Sequence, residues 1–596
     1  MKNKICFLLI FGSMVSACDD FYQPSKSSLE ESVVFSTIDL AESAVNSISH
    51  TFGEGNSYMG RWLSYYGANT DLEWGRYSHM ETNSATPLFV YVPTATNSLM
   101  NTWNNTWAKS YEGIERANLC IQGLRNTGKA LPRTDFGQLL AESLTLRAVL
   151  YADLVKTHGD VPARFQPIST ETLYVPKADR DVIYKQLIAD LGEASELAFW
   201  PNEHKMTSTV GRINKTFIKG LRARLCLNAA GYSKRPDTDQ PRLSNDPELS
   251  KEKMYTIARQ DLLDVYTNPK SGKMEASFER VFRKLCEEDM SAGGESLWQI
   301  PFSSSRGRMA YTFAVRHQSV DQYTAMPQGG SIGPLPNLFY DYDVNDTRRD
   351  VTCVPYQWSN SNPAYQTFAT TRVNTWSFGK YRFEWMKRKV LSTNSDGLQK
   401  QYMRYAEIIL MLAEVENELN GPAAAAPYLK EIRKRAFSSS VWQEKVEDYV
   451  NALDSKEKMF NAIVDEYAFE FAGEMLRKET LIRWNLLKVK MDEAKARMYE
   501  LRDQTGRYAD VSNRLYYKLE NDKETLKIYG LNRGETEDKS SEYPNNVLWI
   551  STSLLNDAKI ESIYNSSIDP NQYQFWPIWQ YFIDNSNGKL VNDYGY

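Results

Sequence analysis

The apolar positions along this chain recur with the spacing of helices. Ile38, Ala41, Val45 and Ile48 share one face and predict a helix over about 36–52. Trp103, Trp107, Tyr111, Ile114, Ala117 and Ile121 step by three or four residues. They predict a second helix in which both tryptophans pack into the core. A third opens near Asp135, with Gln138 at the capping-box position. It carries Leu140, Leu144, Ala148, Tyr151 and Val155 and stops at Gly159, ahead of Pro162. Two more are predicted at about 179–198 and 213–231. From about 235 to 400 the period is lost. Short strand-like pieces such as Ser296–Ile300 lie there among Gly, Pro, Ser and Asn. Helices resume with Tyr405, Ile408, Ile409, Leu412, Val415 and Leu419, turn at Asn420-Gly421-Pro422, and return over 423–436. Further helices are predicted at about 456–472 and 476–500, and the tail, 505–596, is irregular.

The helices therefore come as adjacent pairs: pairs over about 101–231, a long insert over about 235–400, then pairs over about 404–500. This predicts a mainly α fold, a tetratricopeptide-like solenoid of helical pairs, with the irregular loop and short-strand insert forming the ligand-binding region. No clean period of about 34 residues is visible, so an irregular helical domain is the alternative.

Composition narrows the function. The chain has 596 residues, 42% of them hydrophobic, enough for a large core. Its net charge of −5, without basic blocks, argues against nucleic acid as a partner. Cys120, Cys226, Cys286 and Cys353 are too widely spaced for a disulfide framework, and Cys120 and Cys226, inside apolar helical patterns, read as small core residues. His50, His79, His158, His204 and His317 show no metal-ligand spacing. Loop carboxylates could hold calcium, but no loop has EF-hand spacing and no cofactor is indicated.

The N-terminus has its own pattern. Lys2 and Lys4 precede an apolar run from Ile5 to Val15, too short for a membrane span of about 20 residues. This is the layout of a secretory signal. Val15-Ser16-Ala17-Cys18 resembles the bacterial lipobox. That resemblance implies that residues 1–17 are removed and that Cys18 is acylated on its thiol and its new amino group. Residues 18–35 then form a lipidated tether and 36–596 a single domain outside the bilayer. Removing 1–17 takes away two lysines and no acid, moving the charge from −5 to −7. In the alternative, an ordinary signal peptide is removed and Cys18 stays inside the mature chain.

Further segments match one family in order. Trp103 to Asn118 looks like a W-x-x-x-Y-x-x-I-x-x-A-N helix. Ala141-Glu142 through Arg147-Ala148, followed by Gly159-Asp160-Val161-Pro162, is similar to an A-E-x-x-x-x-R-A helix with a G-D-V-P exit. Gly211-Arg212-Ile213-Asn214-Lys215 opens the next helix, and Arg404 to Glu414 is close to R-Y-A-E-x-x-L-x-x-A-E-A. Together these resemble the SusD/RagB family of nutrient-binding surface lipoproteins over nearly the whole length. There are departures. Tyr467 stands where the family has Arg, Thr480 where it has Asp, and Pro577-Ile578-Trp579 lacks a second Pro. Asn592-Asp593-Tyr594 carries Asp-Tyr where the family often has Pro alone. These changes put local salt bridges in doubt.

The resemblance implies a non-catalytic protein of the outer membrane, facing outward, that hands oligosaccharide to a SusC-like TonB-dependent transporter. Peptide is the alternative cargo, as in RagB-like relatives. A surface adhesin and a glycoside hydrolase are further alternatives, the latter needing two carboxylates about 5–10 Å apart. Arg147, Glu142, Glu407, Glu414 and Arg404 read as structural, with Glu142 or Glu407 available to Arg147 and Glu407 to Arg404. The ligand site is expected on two aromatic-rich loop stretches. One supplies Trp62, Tyr65, Asn69, Asp71, Trp74 and Tyr77; the other supplies Arg308, Tyr311 and Tyr323.

Overall fold

The computed structural model describes residues 31–369 and 375–596, so Cys18 and the leader lie outside the described residues. Helix α1, Ile38–Ser49, buries the expected Ala41, Val45 and Ile48, and Thr37 caps it by accepting the Leu40 N–H. It lies across α2, Thr106–Asn126, and α3, Asp135–His158. From α2 onward each helix packs on the one before it. The series runs through α4 (Arg180–Leu197), α5 (Lys215–Ala229), α6 (Lys251–Thr267), α7 (Tyr405–Asn420) and α8 (Pro422–Ala436). Helix α9, Lys456–Phe471, then closes on α7 and α8. The fold is mainly helical, a stack of helical pairs around one large core. Helix α3 is buried almost all round, polar side chains such as Glu142, Arg147 and Asp153 included, and sits at its centre. Cys120, Cys226, Cys286 and Cys353 are buried free thiols.

Several elements differ from the sequence pattern. Helix α6 lies inside the stretch read as irregular; Pro241, Pro247 and Asn268-Pro269 around it mask the period of Met254, Ala258, Leu262 and Val265. The single helix expected over 476–500 is two, α10 (Arg477–Arg483) and α11 (Leu487–Asp503), broken where Asn485 takes φ 59°. The tail holds a three-stranded antiparallel sheet of Arg514–Leu519 between Leu526–Tyr529 and Asn545–Leu548. Helix α3 is capped by Thr134, which accepts the Gly137 N–H at 3.1 Å. Gln138 instead donates to Glu142 and to the Ile213 carbonyl.

The insert leaves and rejoins the helical stack at one place, because strand Ser296–Ile300 pairs antiparallel with Lys400–Arg404. Beside this join lies a buried charge network. Arg404 bonds Glu295 (2.8 Å), Glu470 (2.6 Å) and Glu474 (2.8 Å), and stacks on Phe471. Arg348 bonds Asp346, Glu466 and Glu470. Burial alone would raise the Glu470 carboxyl, but Arg435, Arg404 and Arg348 overcome it and hold the group well below the usual carboxylate range.

The other pairings also differ from those read locally. Arg147 takes Asp190 (2.6 Å), Glu142 takes Arg212, Glu407 takes Arg224 and Glu414 takes Arg483. Where the family pattern has Arg, Tyr467 packs edge-on against Trp484, while the neighbouring Glu466 and Glu470 keep arginine partners from other elements.

Candidate functional site

Four residues expected to bind ligand are structural. The Trp62 ring is wholly buried against Tyr58, and its indole N–H donates to Thr157 Oγ1 at 2.9 Å. Asn69, at φ 58°, has its amide donating to the Ser562 and Ile563 carbonyls and its oxygen accepting the Gly75 N–H. Asp71 receives both arms of the Arg477 guanidinium. Trp74 is buried in a core with Tyr91, Leu335 and Leu481. Each is drawn inward by a partner far along the chain, so none presents a face to solvent. Tyr77 lies under Arg76, whose guanidinium carbon is 5.7 Å from the ring centre. Tyr323 packs with His317 and Trp358 in a small core of its own.

Tyr65, Arg308 and Tyr311 do come together. The guanidinium of Arg308 lies 4.0 Å over the Tyr311 ring and donates to Asn394 Oδ1 at 3.0 Å. The Arg308 stem passes so close to Gly60 that a Cβ there would sit 3.0 Å from its Cδ. Burial raises the Tyr65 hydroxyl's pKa, while the charges of Arg308 and Arg61 act against it. Arg61 donates to Asn56 Oδ1 at 2.5 Å, and Arg306 donates to the Gly53 carbonyl.

Beneath these residues Asp396 accepts the N–H groups of Ala310 (2.7 Å) and Leu398 (3.1 Å), fixing the loop that carries Arg308. Burial pushes its carboxyl up to about 7. Gly307, at φ 127°, lets the chain pass over that carboxylate at a distance no side chain would permit.

The residue that completes this surface is one the helical spacing assigns to the core. Asn105 caps α2, accepting the N–H groups of Trp107 and Ala108, so the helix starts at Thr106. Trp107 packs inside, while Trp103 falls in the preceding loop and is 68% exposed. Its loop joins the Arg308 surface: Asn104 donates to Glu54 at 3.0 Å and Thr106 Oγ1 donates to the Asn56 carbonyl. Tyr581, 43% exposed, is tied to the same loop through its N–H on Asn101 Oδ1. An asparagine capping signal at Asn105 was the clue in the sequence. Alongside runs an apolar groove of about 270 Å³, with Trp107, Tyr111, Tyr174 and Phe582 in its walls.

Chemically, the surface offers exposed and half-buried aromatic faces beside amide and guanidinium donors. Among the described residues, no three or more His, Cys, Asp or Glu side chains are grouped to hold a metal ion. No described helix is long and apolar enough to cross a membrane.

Residues 294–596 match the family model described as the SusD family, and residues 36–227 match one described as starch-binding, associating with the outer membrane. The chain is 24% identical to SusD-like protein P2 of Formosa agariphila over 506 residues, 80% of this chain and 89% of that one. It is also 24% identical to SusD-like protein P25 of the same organism, over 64% of this chain and 70% of the relative. Among solved structures, a SusD homolog from Bacteroides thetaiotaomicron superposes with a TM-score of 0.71 at 16% identity, covering 95% of this chain and 99% of its own. Surface glycan-binding protein A from the same species, in complex with laminarihexaose, gives 0.60 at 15% identity over 93% and 99%.

Proposed function

The chain belongs to the SusD family, and from that premise we propose that it is a non-catalytic glycan-binding protein. In this reading it is anchored in the outer membrane through Cys18, faces outward and passes captured oligosaccharide to a SusC-like TonB-dependent transporter. The observation that carries the reading is the exposed Trp103, on a loop bonded to Glu54 and Asn56, together with the Tyr65, Tyr311 and Arg308 group. Among the described residues Trp103 is the one tryptophan left so exposed. Sugar rings present C–H faces that pack on aromatic rings, and their hydroxyls pair with amide and guanidinium donors of the kind Asn394, Arg61 and Arg308 supply. The laminarihexaose complex of a protein with the same fold is consistent with such a cargo.

The test uses the mature chain from Asp19 onward, titrated calorimetrically against panels of oligosaccharides and peptides, with each ligand checked for cleavage. Saturable binding of one intact sugar class, lost in Trp103→Ala, is the expected result. Cleaved sugar overturns the non-catalytic reading, and binding of peptides alone overturns the cargo.

A further inference from the structure

Most arginines of this protein are matched to carboxylates; Arg164, on the Thr172 and Leu173 carbonyls, and Arg514, on Asn546, are exceptions elsewhere. Arg147 pairs with Asp190, Arg224 with Glu407, Arg404 with Glu470 and Glu474, and Arg477 with Asp71. The candidate surface breaks that habit. Arg61 donates to an asparagine oxygen, Arg306 to a backbone carbonyl and Arg308 to another asparagine oxygen. Among the described residues none of the three lies within ion-pair distance of a carboxylate.

The acids nearby are committed elsewhere. Glu54 accepts from Asn104, Glu288 pairs with Arg388, and Asp396 is buried on the backbone N–H groups of Ala310 and Leu398. Guanidinium stays protonated at any ordinary pH, so three positive charges gather here without a matching negative charge at the surface. They do so in a chain whose net charge is −5. Neutral hydroxyls need only single donors, whereas the planar fork of arginine matches the paired oxygens of a carboxylate or a sulfate.

Resting on the glycan-capture reading, we propose that the captured oligosaccharide is anionic. It carries uronate carboxylates or sulfate esters, which engage Arg61, Arg306 and Arg308 while a sugar face packs on Trp103. The loops that carry Trp103 and Arg306 meet the same short segment, Gly53-Glu54. Asn104 and Glu54 bring the Trp103 loop beside Gly53, and Arg306 reaches the Gly53 carbonyl.

The experiment titrates the mature chain with an oligogalacturonate, a sulfated galactan oligosaccharide, neutral laminarihexaose and an oligoglutamate peptide, at low and at high salt. The expected result is tighter binding of one anionic sugar than of the neutral one, by about tenfold or more, weakening as salt rises. The carboxylated and sulfated probes separate the two sources of charge. Arg308→Gln and the more exposed Arg306→Gln should each weaken that sugar severalfold, with melting temperatures confirming that both variants fold. Arg308→Lys keeps the charge without the fork and should recover only part of the loss. Neutral laminarihexaose bound as tightly as either acidic sugar, without salt dependence, overturns the anionic inference and leaves glycan capture standing. Binding of oligoglutamate in preference to every sugar overturns both, as does the failure of all the sugars to bind.

Discussion

Asp71 and Arg477 meet as a forked pair, with Nε 2.9 Å from Oδ1 and Nη2 2.6 Å from Oδ2. The side chains are 9% and 3% exposed. This contact ties the loop after Trp62–Gly67 to α10 and turns a residue that looks available for sugar into a strut.

Asp71→Asn should therefore act on stability. It leaves the Arg477 guanidinium buried without its counter-charge, a change that costs about 3–5 kcal/mol. Urea unfolding measures the loss. Glycan affinity at the Trp103 surface should stay close to that of the parent protein, and a large drop in affinity at unchanged stability would return Asp71 to the binding site.

The two tryptophans of the α2 region should separate cleanly. Trp103→Ala removes an exposed ring and should change stability by no more than about 0.5 kcal/mol while abolishing sugar binding. Trp107→Ala opens the core and should cost about 3–5 kcal/mol. Thermal melts and titrations of both variants check the contrast.

Glu73 gives a pH signature. Burial pushes its carboxyl up to about 8, against the opposing pull of Lys380 and the Gly473 N–H. The folded protein thus keeps a proton that the unfolded chain releases near pH 4.5. This contribution is full below that pH and is lost as pH rises towards about 8, by up to about 1.4 kcal/mol per pH unit. Glu73→Gln cannot titrate, so its stability relative to the parent should improve between about pH 5 and pH 8. Parallel curves for the two proteins would sink the assignment.

Arg404→Met should damage the fold in a pH-dependent way. It strips Glu295, Glu470 and Glu474 of a shared partner and costs about 3–5 kcal/mol at neutral pH. The penalty should shrink in acid, as the deserted carboxylates take up protons. Denaturant unfolding at neutral and acid pH reads both parts.

The helices were legible because their apolar period is local. The ten residues from Tyr405 to Glu414 show it as plainly as the finished α7 does. What could not be read depends on distant partners. Nothing near Asn69 announces Ser562 and Ile563, and nothing near Arg404 announces Glu470. Trp103 was misplaced because its spacing continues the α2 stripe, while the cap at Asn105, two residues further on, is where the helix begins. Of the expected site, Tyr65, Arg308 and Tyr311 were reachable as aromatic and basic loop residues. Arg61, Arg306 and Asn394 carry no local mark that sets them apart, and only the packing of loops assembles them.

The bonds from Arg306 to Gly53, Arg308 to Asn394 and Tyr581 to Asn101 give the proposed binding surface a timetable. Segments from the start, the middle and the end of the sequence must all be in place before the surface exists. On the proposed reading, a chain still folding has no competent site and does not sequester sugar. Once assembled, ligand favours only the finished molecule and draws the folding equilibrium towards it. Resistance to proteolysis in these loops would then rise with sugar concentration, making cargo a fastener between regions that are strangers in sequence.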